Sequence, residues 1–265
     1  MQCRLNQQGF VRWCVAFLLT LTLWSLGGGA IAAPHTLATN PVSNRIPKDV
    51  APLATGREVF ETAYNERYTW DENFPGYQAE VSVNDGGKIE QGLVRVTPDL
   101  EVSVLNISDE DIRDLVKEQL QMEVIHRKSV PFDKRHENST FELEDIDELG
   151  AAKIKEMGEK SNPSYKVQDN QIVQVNRSFD DVALTVDVVG TIKTPEGFLP
   201  IHTQTVYRDA DTGEILQQND VRDFYEKIGG YYLLTNRTIR RSKEGNPELQ
   251  LTPDSTIRFN DVQPL

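Results

Sequence analysis

The sequence has almost no cysteine. Of its 265 residues only Cys3 and Cys14 are cysteines, and both fall near the start of the chain. Beyond them there is no means of making a disulfide, no thiol chemistry and no thiolate to ligate a metal. Positive charge is also scarce, with 28 Lys and Arg against 41 Asp and Glu and a formal net charge of −13. Holding nucleic-acid phosphates needs clustered Lys and Arg, so nucleic acid is excluded as an expected partner. The same balance argues against general adhesion to anionic membranes. The catalytic signatures Gly-x-Ser-x-Gly, His-Glu-x-x-His and a Gly-rich phosphate loop do not occur. Of the four histidines, His35 lies in a Pro-rich stretch. The other three, His126, His136 and His202, have no spacing that presents two nitrogens to one ion. No metal and no cofactor is expected.

What the chain does have begins at its first residues. Arg4 and Arg12 supply a positive end, and Trp13 to Leu26 is an apolar run of about 14 residues. That run suits the core of a secretion signal and falls short of the roughly 20 residues a membrane-spanning helix needs. Gly27 to Gly29 break the helix, and Ala30-Ile31-Ala32 has the small-x-small form that a signal peptidase reads. Residues 1–32 are therefore expected to be a cleaved signal peptide, which leaves no stable membrane span. Cleavage removes both cysteines and two arginines, so the net charge moves from −13 to −15. Residues 33–54, with Pro34, Pro41, Pro47 and Pro52 and no apolar period, read as a disordered tether. Residues 55–265 are expected to form one β-rich domain.

Two helices are expected. Thr55-x-x-Glu58 has the form of a capping box, and Val59, Phe60, Ala63, Tyr64 and Tyr68 recur at helical spacing. The second starts at Ser108, with acids in its first turn and an apolar stripe from Ile112 to Met122. Nearly everything else alternates with period two. Tyr77 to Asn84, Asp85-Gly86-Gly87 as a hairpin turn, Lys88 to Thr97 and the run Val182, Leu184, Val186, Val188 are the clearest cases. No βαβ spacing recurs. The expected fold class is α+β, a large curved antiparallel sheet covered by two helices.

Four features could carry function. Tyr68 to Tyr77 packs four aromatics around Pro75-Gly76, and Gly229-Gly230-Tyr231-Tyr232 forms a second cluster. Such segments either line the lip of an apolar cavity or plug the end of a sheet. Trp70, Phe74, Tyr77, Tyr231 and Tyr232 are the candidate ligand-binding residues. Arg127, Lys128, Arg237 and Arg241 are candidates for an anion or a partner; pairing with acids on adjacent strands is the simpler expectation for Arg237 and Arg241. Asp209 to Glu214 resembles part of a calcium loop, but it lacks the third oxygen ligand and the distant Glu, so a hairpin turn is expected there.

Arg67 to Trp70, Asn73 to Tyr77 and Tyr225 to Tyr232 resemble the signatures of an uncharacterised family found in cyanobacteria and chloroplasts. That resemblance implies a match over about residues 55–263 and brings no known activity. Gly230 to Arg237 with Ile257 to Val262 is similar to the closing strands of periplasmic lipoprotein-carrier domains, although Leu234 stands where those domains have proline. This second resemblance implies an incomplete β-barrel with helices covering an apolar cavity.

Together these readings point to an exported, non-enzymatic binding or carrier protein for an apolar or lipid-like ligand. The resemblance, not the signal, points to a periplasm or a thylakoid lumen. An assembly or interaction factor for a complex in those compartments is the first alternative. A hydrolase or metalloenzyme built from dispersed residues such as His126 and His136 is the second.

Overall fold

The computed structural model describes residues 54–265 apart from 160, 162, 244, 245 and 250–252. The expected signal peptide and nearly all of the expected tether lie outside the described residues.

The capping box at Thr55 forms as the sequence implies. The Glu58 amide donates to Thr55 Oγ1 at 3.2 Å, and the Thr55 amide donates to Glu58 Oε2 at 2.7 Å. Helix α1 runs Gly56–Asn65. It stops short of Tyr68 because the backbone that follows is recruited by the sheet. The Tyr68 amide donates to the Phe198 carbonyl at 2.9 Å, and the Phe198 amide donates to the Glu66 carbonyl at 2.7 Å. Helix α2 runs Glu110–Arg127, with Asp109 rather than Ser108 as its cap. A short helix α3, Phe132–Arg135, follows and was not expected.

Thirteen strands are described: β1 Tyr77–Asp85, β2 Lys88–Val96, β3 Val102–Leu105, β4 Thr140–Ile146, β5 Ala152–Met157, β6 Ser164–Gln168, β7 Gln171–Phe179, β8 Val182–Thr194, β9 Gly197–Asp209, β10 Ile215–Ile228, β11 Tyr231–Lys243, β12 Asn246–Leu249 and β13 Ser255–Pro264. Twelve of them form one path, β3-β2-β1-β13-β11-β10-β9-β8-β7-β6-β5-β4, and β12 pairs with β11. Every ladder is antiparallel. β4 to β11 is an eight-strand meander. The N-terminal hairpin strands join it on the far side of β13. The ends of the path, β3 and β4, are not paired with each other, so the curved sheet stays an open, incomplete barrel. α2 and α3 carry the chain from one edge strand to the other.

Both long helices cover the same face. α2 packs on Ala79, Val81, Val83, Ile257 and Phe259 through Ile112, Val116 and Leu120. α1 packs on Ala152, Ile154, Tyr165 and Val167 through Phe60, Ala63 and Tyr64. Strand β5, Ala-Lys-Ile-Lys-Glu-Met, escaped the sequence reading. It carries residues of weak strand preference, and it places a glutamate, Glu156, among its buried positions. Asp209 to Glu214 is the expected hairpin turn, with Asp209 Oδ1 accepting from the Asp211 and Thr212 amides at 3.1 and 2.8 Å.

Candidate functional site

The aromatic segment after α1 is drawn across the helix-bearing face. The Trp70 amide donates to the Arg127 carbonyl at the end of α2, at 2.7 Å. Gly76 turns the chain into β1 at φ +78°, where a Cβ would lie 2.4 Å from the Val96 carbonyl oxygen. Only glycine tolerates both constraints. Trp70 stacks on Phe74 with ring centroids 4.1 Å apart, and Tyr77 meets both rings edge-on. Val96, Val124, Leu199 and Leu233 close the cluster.

Trp70, Phe74 and Tyr77 are thus buried, with exposures of 2%, 4% and 1%. The segment is a filled plug; the space beneath Trp70 holds side chains. Tyr231 and Tyr232 are half-buried at its edge. The Tyr231 hydroxyl donates to Asp71 Oδ1 at 2.8 Å, and the Tyr68 hydroxyl accepts from the Tyr232 amide at 2.8 Å. Burial pushes the Tyr68 hydroxyl up to about 12.

Beside the plug lies a buried charge network. Arg237 on β11 forms a fork with Asp223 on β10, both N–O distances being 2.7 Å. It also lies 3.5 Å from Glu123 of α2. Arg127, one turn on from Glu123, donates to it at 2.8 Å and reaches the Tyr68 carbonyl and the Tyr225 hydroxyl at 3.3 Å each. Tyr225 donates to Glu123 Oε2 at 3.0 Å. Two cations and two carboxylates therefore balance. Burial pushes the Glu123 carboxyl up, but Arg127 and Arg237 outweigh it and hold it below the usual range. Of the candidate cations, Arg127 and Arg237 are buried in this network. Arg241 faces Asp85 at 3.6 Å, and Lys128 is exposed. The structure does not bring the four together as one surface. The acids of the network were not singled out from the sequence, although Glu123 and Arg127 sit on the same helical stripe as Val116 and Leu120, which is a legible sign of a buried pair.

The histidines lie apart. His126 is exposed on α2. His136 is buried among the rings of Phe60, Tyr64, Phe132 and Phe141, with Nδ1 2.7 Å from Glu156 Oε1 and Nε2 unpartnered among the described residues. Glu156 Oε2 also accepts from the Tyr165 hydroxyl at 2.6 Å. His202 pairs with Asp220 on the opposite face of the sheet, at 2.7 Å. Among the described residues no group of three or more His, Cys, Asp or Glu could hold a metal ion.

Between the two helices no described helix covers the sheet. The register places Val175 opposite Val186, Val186 opposite Thr205, Val188 opposite Thr203 and Thr203 opposite Val221. Side chains directly paired share a face. Val221 in turn faces Ile239, two residues from Arg237, so this is the helix-bearing face. All six residues are half-buried; Val175 packs against the cluster beneath α1, and the other five form the strip. β8 and β9 contribute no residue to the clusters beneath α1 and α2, and β10 contributes only Tyr225. Leu199 on β9 belongs to the plug, and Thr203 and Thr205 follow further along the same strand. The result is a one-sided strip of valine and threonine with the aromatic plug beyond one end.

Residues 52–265 match the model of a family described as a protein of unknown function, DUF3386. No curated protein matches the chain. Among solved structures, a DUF1329 family protein from Desulfovibrio piger aligns at 10% identity over 80% of this chain and 93% of that one, with a TM-score of 0.27. A likeness of that size carries no argument.

Proposed function

We propose that this chain, which belongs to the DUF3386 family of unknown function, is a non-enzymatic binding protein that carries an apolar or lipid-like ligand. The observation that carries the reading is the strip Val186, Val188, Thr203, Thr205 and Val221, which among the described residues neither helix covers, on the face where both helices pack. Beneath α1 and α2 the apolar side chains of that face are buried. Here they keep water contact that a ligand would relieve. The plug of Trp70, Phe74 and Tyr77 then acts as the closed end of the groove, and Tyr231 and Tyr232 as its edge. In this reading the protein works after export, in a periplasm or thylakoid lumen, and the resemblance to lipoprotein-carrier domains supports the same idea.

The strip is open on one side, so a seated alkyl chain buries about half its surface. At about 0.8 kcal/mol per fully buried methylene, a chain of some 14 carbons gains on the order of 5–6 kcal/mol, which corresponds to a Kd near 0.1 mM. Such binding is reversible, as a carrier requires. Titration with the neutral fluorescent probe N-phenyl-1-naphthylamine tests it, together with native mass spectrometry of the purified chain. Val186→Lys and Val221→Lys should each weaken the probe about tenfold, roughly 1.4 kcal/mol, with little change in Tm. Absence of saturable binding, or binding indifferent to both substitutions, overturns the carrier reading. If a protein partner is instead captured and released by high salt, the interaction-factor reading replaces it.

A further inference from the structure

The opposite face of the sheet carries a different kind of site. Ser82 pairs with Arg258 and Asn84 with Thr256 across β1 and β13. These four side chains line a polar cavity of about 90 Å³. That is several times the roughly 10–15 Å³ that admits one water. Ser82, Asn84 and Thr256 can each donate a hydrogen bond, and Arg258 adds an exposed guanidinium. Asn84 Oδ1 already accepts from the Gly87 amide at 3.0 Å, which leaves its NH₂ group to donate. Arg258 is in no ion pair among the described residues.

One further cation lies two strands away on the same face. Thr256 pairs with Thr238, and Thr238 with Arg222, so Arg222 shares the face. Its side chain is 55% exposed and only 3.6 Å from Asp220. Asp220 itself is engaged by Arg240, His202 and Gln204 at 2.6, 2.7 and 2.9 Å. Glu80 on β1 shares this face, but it pairs with Asn260 and does not line the cavity. In a chain of net charge −13, a cavity lined by three neutral donors and a guanidinium, with no acid, departs from the background.

We propose that Ser82, Asn84, Thr256 and Arg258 bind an oxyanion, a phosphate or phosphate ester. The guanidinium supplies charge and two parallel donors, and the two hydroxyls and the amide satisfy the remaining oxygens. The site lies on the other face from the valine strip and stands independently of the carrier reading.

The test is a titration of the full chain with inorganic phosphate, followed by the side-chain amide of Asn84 and the Nε–H of Arg258 in NMR spectra. Sodium chloride at matched ionic strength is the control. Saturable shifts at these two groups with phosphate alone are expected. R258Q should weaken them at least tenfold, and R258K should retain part of the affinity because charge remains but the fork is lost. A parallel flotation assay uses phosphatidylcholine vesicles with and without phosphatidic acid. Binding to the acidic vesicles that R258Q abolishes assigns the site to a lipid headgroup, and binding to free phosphate alone assigns it to a soluble anion. Shifts that sodium chloride reproduces, shifts unchanged in R258Q, or absence of binding in both arms overturns the proposal. R258Q should melt within a few degrees of the wild type, because Arg258 is exposed and in no ion pair among the described residues. The loss then reports on binding rather than folding.

Discussion

Replacing Glu123 with glutamine tests how the charge network under α2 is held. Glu123, Arg127 and Arg237 have exposures of 3%, 5% and 7%, so none can recover its charge partner from water. The amide keeps the shape of the carboxyl but not its charge, and the site moves from two cations and two anions to two cations and Asp223 alone. Breaking a buried pair from one side costs about 3–5 kcal/mol. A domain of this size loses roughly 2–4 °C of Tm per kcal/mol, so Tm should fall by about 6–20 °C. The assay is urea unfolding at several pH values, with Trp70 fluorescence as one probe. The Glu123 carboxyl titrates lower in the folded chain than in the unfolded one. Its contribution is therefore complete above the unfolded carboxylate value, about 4.3, and is lost as pH falls through the lower folded value. The gap between wild type and E123Q should be constant from pH 8 to about 5 and close only in more acid solution. A cost below about 1 kcal/mol at pH 7, or a gap that fades between pH 7 and 5, refutes the reasoning.

Two further substitutions probe the plug. Trp70→Ala removes a ring stacked on Phe74 and 2% exposed, so a cost of about 3–5 kcal/mol is expected in equilibrium unfolding. A cost near zero would mean that the plug is not packed as described. Gly76→Ala should destabilise by more than the roughly 1 kcal/mol of an ordinary glycine replacement, since its Cβ meets the Val96 carbonyl at 2.4 Å. A neutral result in thermal melts would show that the turn into β1 relaxes freely.

Much of the architecture was legible in local pattern. The capping box at Thr55, the acidic start of α2, the Gly86-Gly87 turn and the alternation of β1 and β8 all rest on interactions between residues close in the chain. Strand β5 was not legible, because a glutamate, Glu156, stands at one of its buried positions and is stabilised there by His136 and Tyr165 from other elements. The aromatic segment was visible from the sequence, but its two readings, lip or plug, differ only in what lies beneath Trp70. That depends on Leu199 and Leu233, far away in the chain.

Local pattern alone specifies a chain that beyond its first residues has no cysteine and is rich in acid, with the two helices and period-two strands of an antiparallel α+β fold. Period two states which residues share a face of one strand, and it holds without knowledge of neighbours. Strand order and register come from long-range packing. Register is what separates Val186 and Val221 from Arg222 and Arg258, the valine strip on one face and the donor-lined cavity on the other. Tertiary packing also joined the Glu123–Arg127 pair of α2 to the Arg237–Asp223 pair of β11 and β10, about a hundred residues away in the chain, into one balanced buried network.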